Sequence, residues 1–352
     1  MTAYKPEFRF DRPGALIAAL PAVLGFVPEK SLVMVSLEEG RMGAVMRADL
    51  AADLGDNLER LAGIAATSGA DTVVAVIVDA DGALCPMCNT GHRQLCEALT
   101  DALAERGIGL YAAHVVDRIE SGGRWCCVDG CGAQGAVEDP TASPLAAAAV
   151  LDGRRLYRRR ADLQAVIEVA DPDRTAALVE PIRARAARRQ ADWQADPDRC
   201  GRRDVETVMA VAARVCEGAA PADSEFAMLA CGLTDVAVRD TLYALAVGAD
   251  AGAAEALWAA MARTLPDPWR VEALVLLAFS AYARGDGPLA GLSLESALRS
   301  APEHRMAGML DTALQSGMRP EQIRELADTG YRLAKRLGVR LPPRRVFGRR
   351  AV

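Results

Sequence analysis

The chain has 352 residues, 51% of them apolar, with 41 basic and 47 acidic residues and a net charge of −6. This balance excludes an intrinsically disordered chain and predicts one or two ordinary hydrophobic cores. No apolar run approaches the roughly 18 residues that cross a bilayer, and residues 1–10 lack the pattern of a secretory leader. We therefore expect a cytoplasmic protein that does not act at a membrane.

The first part of the sequence alternates between strand and helix patterns. The expected elements are, in chain order, a helical stretch at 13–26 broken at Pro21, strands at 31–37 and 42–50 that form a hairpin, a helix at 56–68, a strand at 72–78, a helix at 91–106, and strands at 107–116 and 124–128. The nearly continuous apolar run at 72–78 is typical of a strand covered on both faces. Residues 1–142 are therefore predicted to form an α/β domain, a mixed sheet with flanking helices.

From residue 143 onward, apolar residues recur with a period near 3.6, which predicts an all-α region. We expect a helical linker at 143–236, tetratricopeptide-like helical repeats at 237–338 and a flexible basic tail at 339–352. The connection between the two parts is predicted in the stretch 127–144, which is rich in cysteine, glycine and proline.

The repeat rests on a period of 34 residues. Small residues and a closing proline recur at this spacing, in the pairs Ala244 and Ala278, Ala256 and Ala290, and Pro268 and Pro302. Gly285 and Asp286 supply the turn between two helices. This looks like the tetratricopeptide pattern, and a plain α-helical domain is the alternative.

A tetratricopeptide array usually presents a concave groove to a peptide or a helix of another protein. The residues that we expect to line such a groove are Trp258, Trp269, Tyr282 and Arg284. Aromatic residues at helical spacing are also common in cores, so burial is the alternative. The pattern predicts a protein partner for the helical part.

The end of the chain is basic. Residues 331–352 carry eight basic residues and no acidic one. A block of like charge can attract an acidic partner or a nucleic acid, and a solvated terminus is the alternative. The pI near 5.3 argues against a dedicated DNA-binding protein.

Four soft metal ligands fall within twelve residues at Cys85, Cys88, His92 and Cys96. Cysteine and histidine ligands suit a tetrahedral zinc ion, which is the one cofactor that the sequence suggests. The group at Cys126, Cys127 and Cys131 could donate ligands instead.

Cys85 and Cys88 also form a Cys-x-x-Cys motif between a strand and a helix, as in thiol–disulfide enzymes, where a helix N-terminus lowers the thiol pKa. The predicted helix start near residue 91 argues against this, because it leaves the motif outside the helix. Cysteines that are merely buried apolar residues are the third interpretation.

Catalytic motifs are absent: the sequence contains no GxSxG, no Walker loop and no GxGxxG, and only three histidines. We therefore predict no catalytic residue. Asp49 and Asp79 follow predicted strands, where α/β sheets place groups that contact ligands, and Arg47 shares a strand face with Asp49. These three residues are candidate ligand-binding residues, and capping of the following loops is the alternative.

An ordered set of short motifs runs along nearly the whole chain: Pro21-x-x-Leu24-Gly25-Phe26-x-Pro28-x-x-Ser31-Leu32-Val33, Arg47-x-Asp49-Leu50, Arg124-Trp125 with nearby cysteines, Leu276-Leu277-Ala278, Arg284-Gly285-Asp286 and Ala297-Leu298. This set resembles the actinobacterial DUF4192 family, which has no established function. The resemblance implies an α/β N-terminal region and a helical C-terminal region.

Two features depart from that family's pattern. The family tends to show Trp, then Cys, then a Cys-Cys-Pro run, whereas here Cys126 and Cys127 directly follow Trp125 and the proline is missing. Cys85 and Cys88 are peculiar to this chain. The resemblance therefore supplies no metal site that rests on Cys85 and Cys88.

Taken together, the patterns favour a non-catalytic protein-interaction or regulatory protein, in which the helical part binds a partner. The alternative is a zinc-binding or thiol-redox enzyme centred on Cys85, Cys88, His92 and Cys96.

Overall fold

A computed structural model describes residues 12–51, 54–83, 85–129, 131–151 and 155–345. The chain divides into two compact units, one of Met1–Asp162 with Gln315–Gly317 and the other of Leu163–Leu314 with Met318–Val352. The finer boundaries expected at residues 142, 236 and 338 stay predictions. Among the described residues, no helix combines the length and the apolar character needed to cross a bilayer.

The first unit is built on a mixed sheet, as predicted, with six strands instead of the five expected from the sequence. Its strands are β1 (Ser31–Glu38), β2 (Arg41–Asp49), β3 (Thr72–Val78), β4 (Gly109–Val116), β5 (Arg124–Cys127) and β6 (Gln134–Ala136), in the order β2-β1-β3-β4-β5-β6. Strand β1 is antiparallel to both β2 and β3, and β4 is parallel to β3. Strands β2, β3 and β4 therefore run in the same direction, and their carboxyl ends lie at one edge of the sheet.

The same unit contains the helices α1 (Pro13–Leu24), α2 (Leu54–Thr67), α3 (Pro86–Ala104) and α4 (Pro144–Leu151), and the short helix α5 (Arg160–Gln164) spans its boundary at Asp162. Apolar side chains of α2 and α3 pack against Leu32, Ala75 and Ile77 on one face of the sheet. On the opposite face, Gly14 of α1 lies so close to β6 that a Cβ there would overlap the carbonyl oxygen of Ala136. Both faces are covered, which explains the apolar run of β3.

Two predicted helix boundaries in this unit are wrong. Pro21 lies inside α1 and does not break it. Nine of the twelve residues of α1 are buried, and this burial offsets the roughly 3 kcal/mol that an interior proline costs. Helix α3 begins at Pro86 instead of near residue 91, because proline is favourable at the first helical position, where its missing N–H needs no partner.

The second unit is helical, as predicted from residue 143 onward. Its helices are α6 (Pro172–Ala177), α7 (Val179–Ala195), α8 (Pro197–Cys216), α9 (Asp223–Leu233), α10 (Val236–Leu242), α11 (Ala251–Thr264), α12 (Trp269–Ala283), α13 (Gly287–Ser300), α14 (Arg305–Gln315) and α15 (Pro320–Leu337), with a 3₁₀ helix at Tyr243–Val247 between α10 and α11. The turn between α12 and α13 is the predicted one. Gly285 has a φ of +85°, and Asp286 caps α13 by accepting a hydrogen bond from the N–H of Leu289 at 3.1 Å.

The last helix, α15, packs back onto α10 and the 3₁₀ helix. Gly330 permits this contact, since a Cβ there would lie 2.7 Å from the carbonyl oxygen of Thr241 and 2.8 Å from the Cβ of Ala244. The tetratricopeptide-like character of residues 237–338 stays a prediction. In an open array each helix pair stacks on the pair before it, whereas α15 packs against the earlier elements α10 and the 3₁₀ helix.

Candidate functional site

Polar side chains converge at the sheet edge where β2, β3 and β4 end. Ser31, the first residue of β1, is paired with Asp49 on one side and with Val78 on the other. Asp79 follows Val78 directly. The sheet register thus brings the predicted ligand-binding residues Arg47, Asp49 and Asp79 to one edge, around the start of β1.

Lys30, Asp79 and His92 form one half of this cluster, in which Asp79 and His92 are buried and Lys30 is exposed. Lys30 Nζ lies 2.8 Å from Asp79 Oδ1 and 2.7 Å from Asp81 Oδ2, and His92 Nε2 lies 3.2 Å from Asp79 Oδ2. The Gly82 N–H also donates to Asp79, and a Cβ at Gly82 would overlap the Asp79 carboxylate. Glycine at position 82 therefore lets the loop close over Asp79.

These contacts shift two pKa values in opposite directions. Burial alone would raise the pKa of Asp79, but hydrogen bonds from Lys30, Gly82 and His92 and the charge of Lys30 hold it below its ordinary value. The hydrogen bonds to Asp79 and Asp81 raise the pKa of Lys30 above its ordinary value. Both groups are therefore charged at neutral pH.

We expect Lys30→Gln to destabilise the chain only within a window of pH. The depressed pKa of Asp79 means that its contribution is present above the unfolded value of about 3.9 and is lost as the pH falls through the lower folded value. Lys30, whose pKa is raised, contributes below its unfolded pKa of about 10.4 and loses its contribution at higher pH. Thermal midpoints of wild type and variant should thus differ at neutral pH and converge in acid.

The control is Lys335→Gln, because Lys335 is exposed on α15. Its effect should be small and the same at neutral and acidic pH. A Lys30→Gln effect that persisted undiminished at a pH below the folded pKa of Asp79 would contradict the ion-pair explanation.

At the other side of this edge, two arginines contact Ser31 and Asp49. Arg47 Nε donates to Ser31 Oγ at 2.8 Å, and the same guanidinium pairs with Asp49, as its place on the strand predicts. Arg160 Nη1 also lies 3.4 Å from Asp49 Oδ2, and the Arg47 guanidinium carbon stands 6.0 Å from the ring centroid of Phe26. Each aspartate at this edge is thus paired with a cation.

A pocket of about 310 Å³ opens at the same edge, between the ends of β3 and β4. Lys30, Val78, Arg118 and Glu120 are among its lining residues. Its volume is at the small end of the range of ligand pockets. Sequence reasoning missed both cations of this pocket. Lys30 could have been found from the sequence, because it is one of only three lysines and directly precedes a predicted buried strand.

The N-terminus of α3 carries the Cys-x-x-Cys motif beside Asp79. Cys85 is the N-cap residue of α3, and Cys88 lies in its first turn. The thiol of Cys88 hydrogen-bonds Cys85; this bond, partial burial and the nearby charge of Asp79 raise the pKa of Cys88. A Cβ at Gly82, which would overlap Asp79 Oδ2, would lie 3.1 Å from the Cβ of Cys88, so the carboxylate and Cys88 border the same small space.

The four predicted zinc ligands do not converge in the structure. Cys96 lies in the apolar cluster between α2, α3 and the sheet, and burial raises its pKa to about 11. His92 is turned to Asp79 through Nε2. Among the described residues, the group of three possible ligands whose donor atoms lie within 4.8 Å of one another is instead Cys127, Asp129 and Cys131.

A model of one protein family matches most of the chain. The family model described as "Domain of unknown function (DUF4192)" matches residues 13–321, which include all six strands and most of the helical unit. The chain belongs to the DUF4192 family. No curated protein and no solved structure matches it.

In this DUF4192 chain, two of the four residues predicted to line a partner groove belong to the core. Trp258 is fully buried in α11, and Tyr282 is 3% exposed, with its hydroxyl donating to the carbonyl oxygen of Met318 at 2.8 Å. Arg284 pairs with Glu255 at 2.7 Å and is half-buried. Trp269, at the start of α12, is partly exposed. The four side chains therefore do not line a common open groove.

Part of the predicted basic tail of the DUF4192 chain packs onto the helical unit. Arg344 pairs with Asp328 of α15, and the N–H of Arg345 donates to the carbonyl oxygen of Val247 at 2.7 Å. Arg349 and Arg350, which contribute to the predicted patch for an acidic partner or nucleic acid, lie outside the described residues.

Proposed function

We propose that this chain carries out thiol–disulfide exchange, with Cys85 and Cys88 as the reactive pair. The observation that supports this most directly is the place of the motif: Cys85 caps α3, Cys88 lies one turn later, and α3 connects the parallel strands β3 and β4. A Cys-x-x-Cys motif at a helix N-terminus within a βαβ unit is typical of dithiol redox proteins.

The roles of the two thiols follow from their places at the start of α3. The hydrogen bond with Cys85 raises the pKa of Cys88, which favours the protonated form of the Cys88 thiol. The free N–H groups and the dipole at the start of α3 favour a negative charge at the N-cap position. Cys85 is therefore the attacking thiolate, and Cys88 is the thiol that resolves the intermediate.

The exchange balances without another cofactor. The thiolate of Cys85 attacks one sulfur of a substrate disulfide, the substrate S–S bond breaks, and the leaving thiolate takes a proton from solvent. Cys88 then loses its proton and attacks the sulfur of Cys85, which releases the second substrate thiol. The substrate gains two electrons and two protons, and the chain is left with a Cys85–Cys88 disulfide.

Charged groups next to the pair support this assignment. Lys30 lowers the pKa of Cys88 while Asp79 raises it, so the two together set how readily the resolving thiol ionises. Lys30 also lines the 310 Å³ pocket, whose lining residues do not include either cysteine, so Lys30 is the residue that the pocket and the charge environment of Cys88 share.

The test is a redox titration of the full chain in buffers of reduced and oxidised glutathione, with trapped thiols counted by alkylation and mass spectrometry. We expect Cys85 and Cys88 to form a disulfide with a potential between about −270 and −120 mV, the range of dithiol oxidoreductases. Cys88→Ser should accumulate a mixed disulfide at Cys85, and Cys85→Ser should abolish reduction of a model aromatic disulfide.

Cys216→Ser is the matched control, because Cys216 is an exposed thiol at the end of α8 in the other unit. It should leave the titration unchanged. Unchanged disulfide reduction by Cys85→Ser would refute the proposal, and so would a Cys85–Cys88 pair that stays reduced across the whole range of potentials.

The hypothesis of a protein-interaction module comes second, because Trp258 and Tyr282, two of the four residues named for the groove, are buried. Zinc binding by the complete set of Cys85, Cys88, His92 and Cys96 has no geometric support, since Cys96 is in the core. Cys85 and Cys88 lie outside the motifs that carry the family resemblance. The proposed activity therefore concerns this chain and is not extended to DUF4192 proteins in general.

A further inference from the structure

A second group of cysteines lies on the turn between β5 and β6, apart from the Cys85–Cys88 motif. The thiols of Cys127 and Cys131 and a carboxylate oxygen of Asp129 all lie within 4.8 Å of one another. Two backbone hydrogen bonds shape the turn: the N–H of Cys127 donates to the carbonyl oxygen of Ala133 at 2.8 Å, and that of Cys131 donates to Asp129 Oδ1 at 2.9 Å. The three donors are thus gathered by the turn itself.

A candidate fourth donor lies on the neighbouring strand, outside the group of three whose donor atoms all lie within 4.8 Å of one another. His114 of β4 is paired directly with Cys127 of β5, and directly opposed residues on antiparallel strands have Cβ atoms about 4.5–5.5 Å apart on the same face. His114 is 5% exposed, and its Nδ1 is buried without a hydrogen-bond partner among the described residues. A buried ring nitrogen without a partner is costly unless something binds it.

We propose that Cys127, Cys131, Asp129 and His114 form a binding site for Zn²⁺. Two thiolates, an imidazole and a carboxylate are the ligand types that zinc takes in tetrahedral sites, with Zn–S distances of about 2.3 Å and Zn–N distances of about 2.0–2.1 Å. The His114 ring would have to turn toward the other three donors to complete a closed, four-ligand site of the structural kind. The ion would link the β5–β6 turn to β4. The Trp125 ring lies edge-on to His114, with ring centroids 5.1 Å apart, and would help to orient the imidazole.

The experiment uses the full chain purified without chelator, stripped of metal, and then titrated with Zn²⁺ and with Co²⁺. We expect one equivalent of zinc per chain and a cobalt spectrum with thiolate charge-transfer and tetrahedral ligand-field bands. Cys131→Ser and His114→Gln should each weaken zinc binding by more than the roughly 10–100-fold that the loss of an outer partner costs. Cys131 is exposed, so its substitution leaves the core intact.

Two controls separate this site from the proposed redox pair. Cys216→Ser should keep both the zinc and the disulfide exchange, and the double variant Cys85→Ser/Cys88→Ser should lose exchange while keeping one equivalent of zinc. Zinc below a tenth of an equivalent after reconstitution overturns the site, and so does full retention of zinc by Cys131→Ser or by His114→Gln. A Cys127–Cys131 disulfide in the chain purified under reducing conditions overturns it as well.

Discussion

Trp258→Ala is expected to lower the free energy of unfolding by about 3–5 kcal/mol, the usual cost of removing a large buried aromatic side chain. Trp258 is fully buried in α11, among the largest such side chains of the described chain. The substitution leaves a cavity that neighbouring helices can fill only in part, because protein interiors are closely packed. Equilibrium denaturation in urea, followed by far-UV circular dichroism, measures the change.

Trp193→Ala is the matched control for this prediction. Trp193 lies on α7 in the same helical unit but is 39% exposed. Its removal should cost less than about 1 kcal/mol, since surface substitutions away from special features have small effects. A Trp258→Ala variant that is as stable as wild type but no longer binds a protein partner would instead support the hypothesis that Trp258 lines a partner-binding groove.

Arg189→Met should lower the free energy of unfolding of the helical unit by about 3–5 kcal/mol, because it leaves buried carboxylates without a cationic partner. Arg189 Nε lies 2.7 Å from Asp204 Oδ2 and its Nη2 lies 2.9 Å from Asp235 Oδ2. Asp204 is 5% exposed and cannot recover its hydration when the guanidinium is removed. Urea denaturation again gives the loss, and Asp204→Asn in the Arg189→Met background should recover part of it.

The contrast is Arg183→Met on the same helix, where the pairing to Glu180 at 2.7 Å is exposed. Exposed pairs of this kind contribute about 0–1 kcal/mol. Equal losses for Arg183→Met and Arg189→Met would show that burial does not set the energy of the Arg189 network.

The strands of the sheet could be predicted where the local sequence pattern alone identifies them. The apolar run at 72–78 and the hairpin at 31–50 follow from local pattern and turn residues, and both are confirmed in β1, β2 and β3. The meeting of Asp49 and Asp79 at one edge also follows, because both residues end strands that run in the same direction. Local pattern is sufficient when burial covers both faces of a strand.

Other features depend on pairing that the sequence does not display. His114 and Cys127 are neighbours only because of the register of β4 and β5. The loop between these strands carries no sequence pattern that predicts this register. The start of α3 at Pro86 was missed because Cys-Pro-Met-Cys shows no helical apolar period, although proline at the first helical position is a known signal. The burial of Trp258 could not be decided from the sequence, because an aromatic residue at helical spacing looks the same in a groove and in a core.

The contact of Gly330 with Thr241 and Ala244 has a consequence for synthesis. The chain emerges from the ribosome N-terminus first, so α10 is complete well before α15 exists. The apolar surface of α10 and the 3₁₀ helix that α15 finally covers must stay exposed, or be shielded by a chaperone, until almost the whole chain has emerged. A nascent chain truncated before α15 should therefore be prone to aggregation, and the helical unit should acquire its stability late and in one step.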